Sequence, residues 1–163
     1  MSSVLVIGVG NRFGRDDGVG PAVIDRVRQL CPDTPAIEAD GEPARLVEAW
    51  DNADLVILVD AVASGAPPGT CHRLVVESEE QAEALGGFGS TMSSHGAGVA
   101  EAWALGAALG RTPRRLVVLG VEGESFLPGH GLSDAVARAV VGTARSVHDE
   151  IAAGPGPHPD RSS

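Results

Sequence analysis

Three stretches of this chain are too uniformly apolar to show one face to water. Residues 4–7 (VLVI), 55–59 (LVILV) and 114–121 (RRLVVLGV, after its opening arginines) are built from Val, Leu and Ile without polar alternation. Runs of this kind predict central strands of a parallel sheet, covered on both faces. Two shorter segments, 36–39 and 70–76, complete the strand set. The second follows the turn SGAPPG at 64–69, too short for a crossover helix, so it is expected to pair antiparallel at an edge.

Helical periodicity fills the spaces between. Residues 21–30 place Val23, Ile24, Val27 and Leu30 on one face and Asp25, Arg26 and Arg28 on the other, with Pro21 at the start and Pro32 beyond the end. Residues 42–52 carry the stripe Leu46, Val47 and Trp50. An Ala-rich helix is expected at 99–109, with Val99, Trp103 and Leu109 apolar and Gly110 as its cap. Ser133 is a good N-cap for a last helix to about residue 152, with Val136, Val140, Val147 and Ile151 on one side. Residues 77–84 are acidic and weakly helical, 86–98 form a Gly/Ser-rich loop carrying His95, and 123–131 form a further loop. Strands alternating with helices give an α/β class with a mostly parallel sheet covered on both sides. One domain at 1–153 is expected, followed by a disordered Pro/Gly tail at 154–163.

The loop after the first strand is the densest stretch of the chain. VLVIGVGNRFGRDDGVGP carries five glycines, Gly8, Gly10, Gly14, Gly18 and Gly20, around the adjacent carboxylates Asp16 and Asp17. Gly8-Val-Gly10 followed by Gly14 resembles a dinucleotide-binding turn. Against that, the spacing is GxGxxxG, no helix is expected directly after these glycines, and two carboxylates would repel phosphates. A loop presenting carboxylates to a cation or a basic partner is the better fit.

Composition narrows the classes. The chain has 163 residues, 43% apolar, no Tyr, and a formal net charge of -10. Such a charge argues against a broad nucleic-acid or anionic-membrane surface and favours a cation or a basic segment as partner. Cys31 and Cys71 stand far apart, so neither a disulfide framework nor a thiolate metal site is indicated. The start MSSVLVIGVG has no basic region before its apolar run, and no stretch reaches membrane-spanning length; a cytoplasmic location is the expectation.

Asp17 follows the first strand, Asp60 ends the run 55–59, and His95 precedes a helix. If the first and third strands are parallel neighbours, both aspartates reach the crevice at the strands' carboxyl ends. His95 joins them only if its segment crosses to that end. Two carboxylates and an imidazole suit a borderline divalent metal such as nickel or zinc. A serine or cysteine nucleophile is the other enzymatic option, but no GxSxG elbow occurs and neither cysteine is placed like an activated thiolate. His72, His130, His148 and His158 are assigned bland positions, His130 being the nearest to a site. Glu122, Glu124 and Asp134 are expected as solvated loop or first-turn carboxylates.

GVGNRFGRDDGVGPAV, LVILVDAV, SSHGAG and LGVEGESFLPGHGLS, in that order, resemble the hydrogenase maturation proteases over residues 4–151. These endopeptidases trim the C-terminal extension of a [NiFe]-hydrogenase large subunit. The resemblance implies a three-layer α/β/α sandwich around a five-stranded mixed, mostly parallel sheet. It also implies metal ligands at Asp17, Asp60 and His95, with Asp16 either orienting the loop or serving as a base, its role and that of Asp17 interchangeable. Asp16, Asp17, Asp60 and His95 are thus the catalytic set. Gly10, Asn11, Asp40 and Gly41 are candidates for contacting substrate, and Gly8 and Gly10 are expected to let the chain pass close to it. The implied metal is nickel supplied by the substrate, although another divalent ion could take the site in vitro. The implied partner is the large-subunit precursor, with no nucleic acid or membrane involved. Arg12, Phe13 and Arg15 depart from the family's apolar or small residues, and Glu42 and Pro43 replace a second Gly and a small residue. The alternatives are a nucleotide-binding α/β protein using the first loop and a non-catalytic maturation chaperone.

Overall fold

The computed structural model describes residues 3–88 and 94–156, with the side chains of 87–88 and 94–97 outside the described part. The strands are β1 (Val4–Val9), β2 (Ala36–Ala39), β3 (Leu55–Val62), β4 (Cys71–Val76) and β5 (Arg115–Glu122). The helices are α1 (Val19–Leu30), α2 (Pro43–Trp50), the short α3 (Glu79–Ala82) and α4 (Leu85–Phe88), α5 (Ser94–Leu109) and α6 (Asp134–Ala153). A single 3-10 turn at Arg15–Gly18 leads into α1.

The sheet order is β2-β1-β3-β5-β4. All pairs are parallel except β4 against β5, which is antiparallel at the edge. The short SGAPPG turn forces that reversal, as expected from its length. The uniform apolarity of β3 has its reason in position: all eight of its residues are buried. Odd positions Leu55, Ile57, Val59 and Ala61 join Val23, Ile24 and Val27 of α1 and Val136 and Val147 of α6 in one core. Even positions Val56 and Leu58 join Leu46 and Trp50 of α2 and Val99 and Trp103 of α5 in the other. Each fully buried Leu or Ile in these layers contributes about 2 kcal/mol of transfer free energy. The result is the three-layer α/β/α sandwich.

Several boundaries differ from the pattern-based expectation, each for a tertiary reason. Helix α1 starts two residues before Pro21, because Gly20 lies against the backbone carbonyls of Val9 and Val59, a place no side chain could occupy. Gly8 faces Ile24 and Gly20. Its missing side chain therefore serves the seating of α1 on the sheet, not passage of a substrate as expected. Strand β3 runs on through Asp60 to Val62, and β5 includes Glu122, because the two strands stay paired from Leu55↔Arg115 to Val62↔Glu122. Helix α5 begins at Ser94, so His95 lies in its first turn and not in a loop. Ser133 precedes α6 but makes no side-chain cap bond within the helix; its hydroxyl is used elsewhere. Glu42 is the N-cap of α2, accepting from the amides of Ala44 at 3.2 Å and Arg45 at 3.0 Å, with Pro43 following. The departures at these two positions thus build a helix start. Residues 157–163 of the expected tail lie outside the described residues. Among the described residues no helix is long and apolar enough to cross a membrane.

Candidate active site at the carboxyl rim of the sheet

Strands β1 and β3 are parallel neighbours, Gly8 lying opposite Val59. Their carboxyl ends therefore share one rim, where an open α/β sheet leaves a crevice. The loop after β1 is held there by its own polar groups. Asn11 N donates to Asp17 Oδ2 at 3.0 Å and Phe13 N to Asn11 Oδ1 at 2.9 Å. The amides of Gly10, Gly14, Arg15, Asp16 and Asp17 donate to the carbonyls of Ala39, Asn11, Gly129, Ser125 and Gly14. A phosphate cradle needs such amides turned outward. Here they are spent on the chain itself, which argues against a nucleotide site in this loop.

The two adjacent aspartates have different surroundings. Asp16 is fully buried. Its Oδ2 accepts from Glu124 N at 2.7 Å, Ser125 N at 3.0 Å and Ser133 Oγ at 2.9 Å, and its Oδ1 accepts from Ser133 N at 2.8 Å. Burial opposes its charge, but the amides of Ser125, Ser133 and Glu124 and the Ser133 hydroxyl together outweigh it and hold the carboxyl below its ordinary value. Asp17, one residue on, is half-buried and lines an open cleft of about 620 Å³ with Gly10, Asn11, Arg12, Phe13, Glu38 and Asp40. Gly10 has φ of 147° and lies against the Asp17 carbonyl, which fixes the cleft floor. At the mouth, Asp40 takes an ion pair from Arg45 at 2.8 Å. Arg12 bridges Asp25 and Glu38, each at 3.0 Å.

Asp60 is 3% exposed and its Oδ1 accepts from Ala61 N at 2.8 Å. By the alternation along β3 it projects to the side covered by α2 and α5. The first turn of α5 arrives at the same rim: Gly98 lies directly against the carbonyl of Gly41, which follows β2. At the other end of the sheet, Arg111, just past α5, accepts from Trp50 Nε1 at 2.8 Å. Helix α5 thus runs antiparallel to the parallel strands and carries His95 at the carboxyl end. The chain does cross over before the helix. The His95 side chain is outside the described part, and among the described residues no group of three His, Cys, Asp or Glu side chains is arranged to hold a metal ion.

Glu122 escaped the pattern-based assignment. Instead of a solvated loop carboxylate it is 1% exposed, the last residue of β5. Both of its oxygens accept from Ser64 N at 3.1 Å, the Ser64 hydroxyl also donates to it, and His72 Nε2 lies 2.9 Å from Oε1. Burial raises its pKa, but Ser64 and His72 overcome that and hold it below the usual carboxylate value. The signal was present in the sequence, since Glu122 ends an apolar run as Asp60 nearly does. His130 stacks edge-on against Phe13 with ring centroids 4.5 Å apart.

Comparison with known proteins agrees with this architecture. A family profile described as hydrogenase maturation protease matches residues 28–150. The hydrogenase expression/formation protein HupD of Thiocapsa roseopersicina is 33% identical over 122 residues, covering 73% of this chain and 53% of its own. The hydrogenase 2 maturation protease of Escherichia coli K12 is 32% identical over 138 residues, covering 82% of this chain and 80% of its own. The solved structure of the E. coli hydrogenase maturating endopeptidase HybD superposes with a TM-score of 0.74 at 27% identity, covering 89% of each chain. Against other curated relatives the chain spans little more than half their length, as with the 59% for the Azotobacter vinelandii protein HoxM. With three quarters of its length matched by the family profile and its sheet and helices matching a solved member, the chain belongs to the hydrogenase maturation protease family.

Proposed function

We propose that this protein is a processing endopeptidase that removes the C-terminal extension of a nickel-loaded [NiFe]-hydrogenase large-subunit precursor. The observation that carries this is the convergence of Asp17, Asp60 and the first turn of α5 on one rim, beside an open cleft. Asp17, Asp60 and His95 contact the nickel that arrives with the substrate; carboxylate and imidazole donors suit such an ion. That ion polarises the scissile carbonyl. The extended tail lies along the cleft past Gly10, Asn11, Asp40 and Gly41. Asp16 orients: its four accepted hydrogen bonds leave it tied to the 124–133 segment, so reaction falls to its neighbour. A chaperone that only binds the precursor would need none of the rim carboxylates to be chemically competent.

The test is incubation with nickel-loaded precursor, followed by mass measurement of the product. Loss of one C-terminal peptide is expected with the native chain, and no loss with Asp60→Ala, Asp17→Ala or His95→Ala. Binding without cleavage by the native chain would favour the chaperone. Full cleavage by Asp60→Ala would overturn the assignment.

A further inference from the structure

Strand β2 ends the sheet, and the carboxyl half of its outer edge opens onto the cleft beside Asp17. Its bonds to β1 decide which of its backbone groups face outward. The Pro35 carbonyl accepts from Val6 N at 3.0 Å and the Ala39 carbonyl from Gly10 N at 3.1 Å. In a parallel pair alternate residues bond the neighbouring strand with both N–H and C=O, and those between turn both groups away. Residues 35, 37 and 39 therefore serve β1, while Ala36 and Glu38 face outward. The Ala36 carbonyl is capped from that side by Arg28, Nη2 at 2.9 Å and Nε at 3.3 Å, so the amino half of the edge is closed. Two residues on, Glu38 is exposed and turns its N–H and C=O to the open side. Its carboxylate is tied on the side of α1, by Arg12 Nε at 3.0 Å and Arg28 Nη1 at 3.9 Å.

Two clefts flank this point, one on each face of the edge. Toward α2, Ile37, Ala39 and Ala49 with Arg45 line a cleft of about 350 Å³. Toward α1, Asn11, Arg12 and Phe13 line the cleft of about 620 Å³ that holds Asp17. Gly10, Glu38 and Asp40 belong to both. An extended peptide sends successive side chains to opposite faces. A strand laid beside Glu38 therefore drops its side chains by turns into one cleft and the other. The first cleft is apolar along Ile37, Ala39 and Ala49. In the second stands the Phe13 ring, 62% exposed and met edge-on by His130. The other edge of the sheet, β4, is at the far end of the strand order from this loop.

We propose that the C-terminal segment of the precursor binds as an added strand along β2, exchanging main-chain hydrogen bonds with Glu38. This rests on the proposed endopeptidase function and gives its substrate a binding mode. Glu38 N donates to a carbonyl of the segment, and the Glu38 carbonyl accepts from one of its amides. The segment residue opposite Glu38 turns its side chain toward Phe13, and the residues on either side of it turn theirs toward Ile37 and Ala39. The segment recognised is thus an extended one, with an amide free to pair at the central position and apolar side chains flanking it. Main-chain bonds supply affinity in such a complex, and the alternate clefts supply selectivity.

The experiment measures steady-state cleavage of nickel-loaded precursor by the full chain, by Glu38→Ala and by Glu38→Pro, each checked for native circular dichroism. Both variants lose the carboxylate. Proline also removes the outward N–H, which takes no part in the ladder to β1. Glu38→Pro is expected to show a KM about 5-fold or more above that of Glu38→Ala, with kcat in the two within about twofold, the size of one lost hydrogen bond. Precursors carrying ligated synthetic tails, with one backbone amide N-methylated at a time, test the partner bond on the native chain and decide the matter if Glu38→Pro does not fold. Methylation at one tail position is expected to raise KM about 5-fold, while both neighbouring positions tolerate it because their amides point away from β2. Equal KM in folded Glu38→Pro and Glu38→Ala, or a tail in which no N-methyl group raises KM, overturns strand addition and leaves the endopeptidase function standing. Failure of the native chain to cleave removes that function and this binding mode with it.

Discussion

Asp16 and Ser133 stand 117 residues apart in the chain and are joined by two hydrogen bonds, Ser133 N to Oδ1 at 2.8 Å and Ser133 Oγ to Oδ2 at 2.9 Å. With Glu124 N and Ser125 N on the same carboxylate, one buried side chain knits the loop after β1 to the segment before α6. Removing it in Asp16→Ala would leave three backbone donors without their acceptor. A loss of about 3 kcal/mol is expected, read as a lower urea midpoint with unchanged slope. Asp16→Asn keeps the shape but not the charge, and should lose less.

Stability should fall as the medium is acidified. Asp16 and Glu122 both titrate below their ordinary carboxylate values in the folded protein. The unfolded chain therefore takes up protons first as pH drops through about 4, and the stabilisation present at neutral pH is lost as the folded carboxyls protonate in turn. Melting temperature measured from pH 7 to pH 3 should decline, and the decline should be shallower in Asp16→Asn and in Glu122→Gln. Equal slopes in all three proteins would mean that neither carboxyl is held as described.

Gly98→Ala separates folding from function. In a helix interior this change ordinarily stabilises by about 1 kcal/mol. Here the added methyl meets the Gly41 carbonyl, and the helix start must move. Overpacking of this kind costs about 1–3 kcal/mol, so the net loss in stability should be small. The first turn that carries His95 would be displaced, and proposed cleavage should fall by about 100-fold, the cost of a misplacement near 1 Å. Cleavage at the native rate would mean that α5 need not sit against Gly41.

Arg12→Ala provides a contrast. Arg12 bonds Asp25 and Glu38 in the open, its side chain 42% exposed. Exposed ion pairs contribute less than about 1 kcal/mol each and are screened by salt. A small loss of melting temperature at low salt is expected, vanishing near 1 M salt.

The layers of this fold were legible because parallel strands leave a plain mark: Val56 to Val59 and Leu116 to Leu119 are apolar without interruption since both faces are covered. Asp60 was legible as a polar break in such a run. The start of α5 was not, because Ser94, His95, Gly96 and Gly98 have no helical periodicity, and Gly98 is glycine for the sake of Gly41. Nor does local sequence distinguish Asp16 from Asp17. Their difference lies in amides more than 100 residues further along, which pattern and propensity cannot see. Glu122 was mistaken for a loop residue because the strand's end was set by its pairing with Val62.

The reach of the Asp16 contacts has a consequence in time. A ribosome delivers the loop after β1 more than 100 residues before the segment 124–133, so a nascent chain that lacks this segment has nothing to close that loop upon. The loop can take its final shape only once residues 124–133 have emerged as well. The order of translation thus sets when the first loop can lock, long after β1 itself has been made.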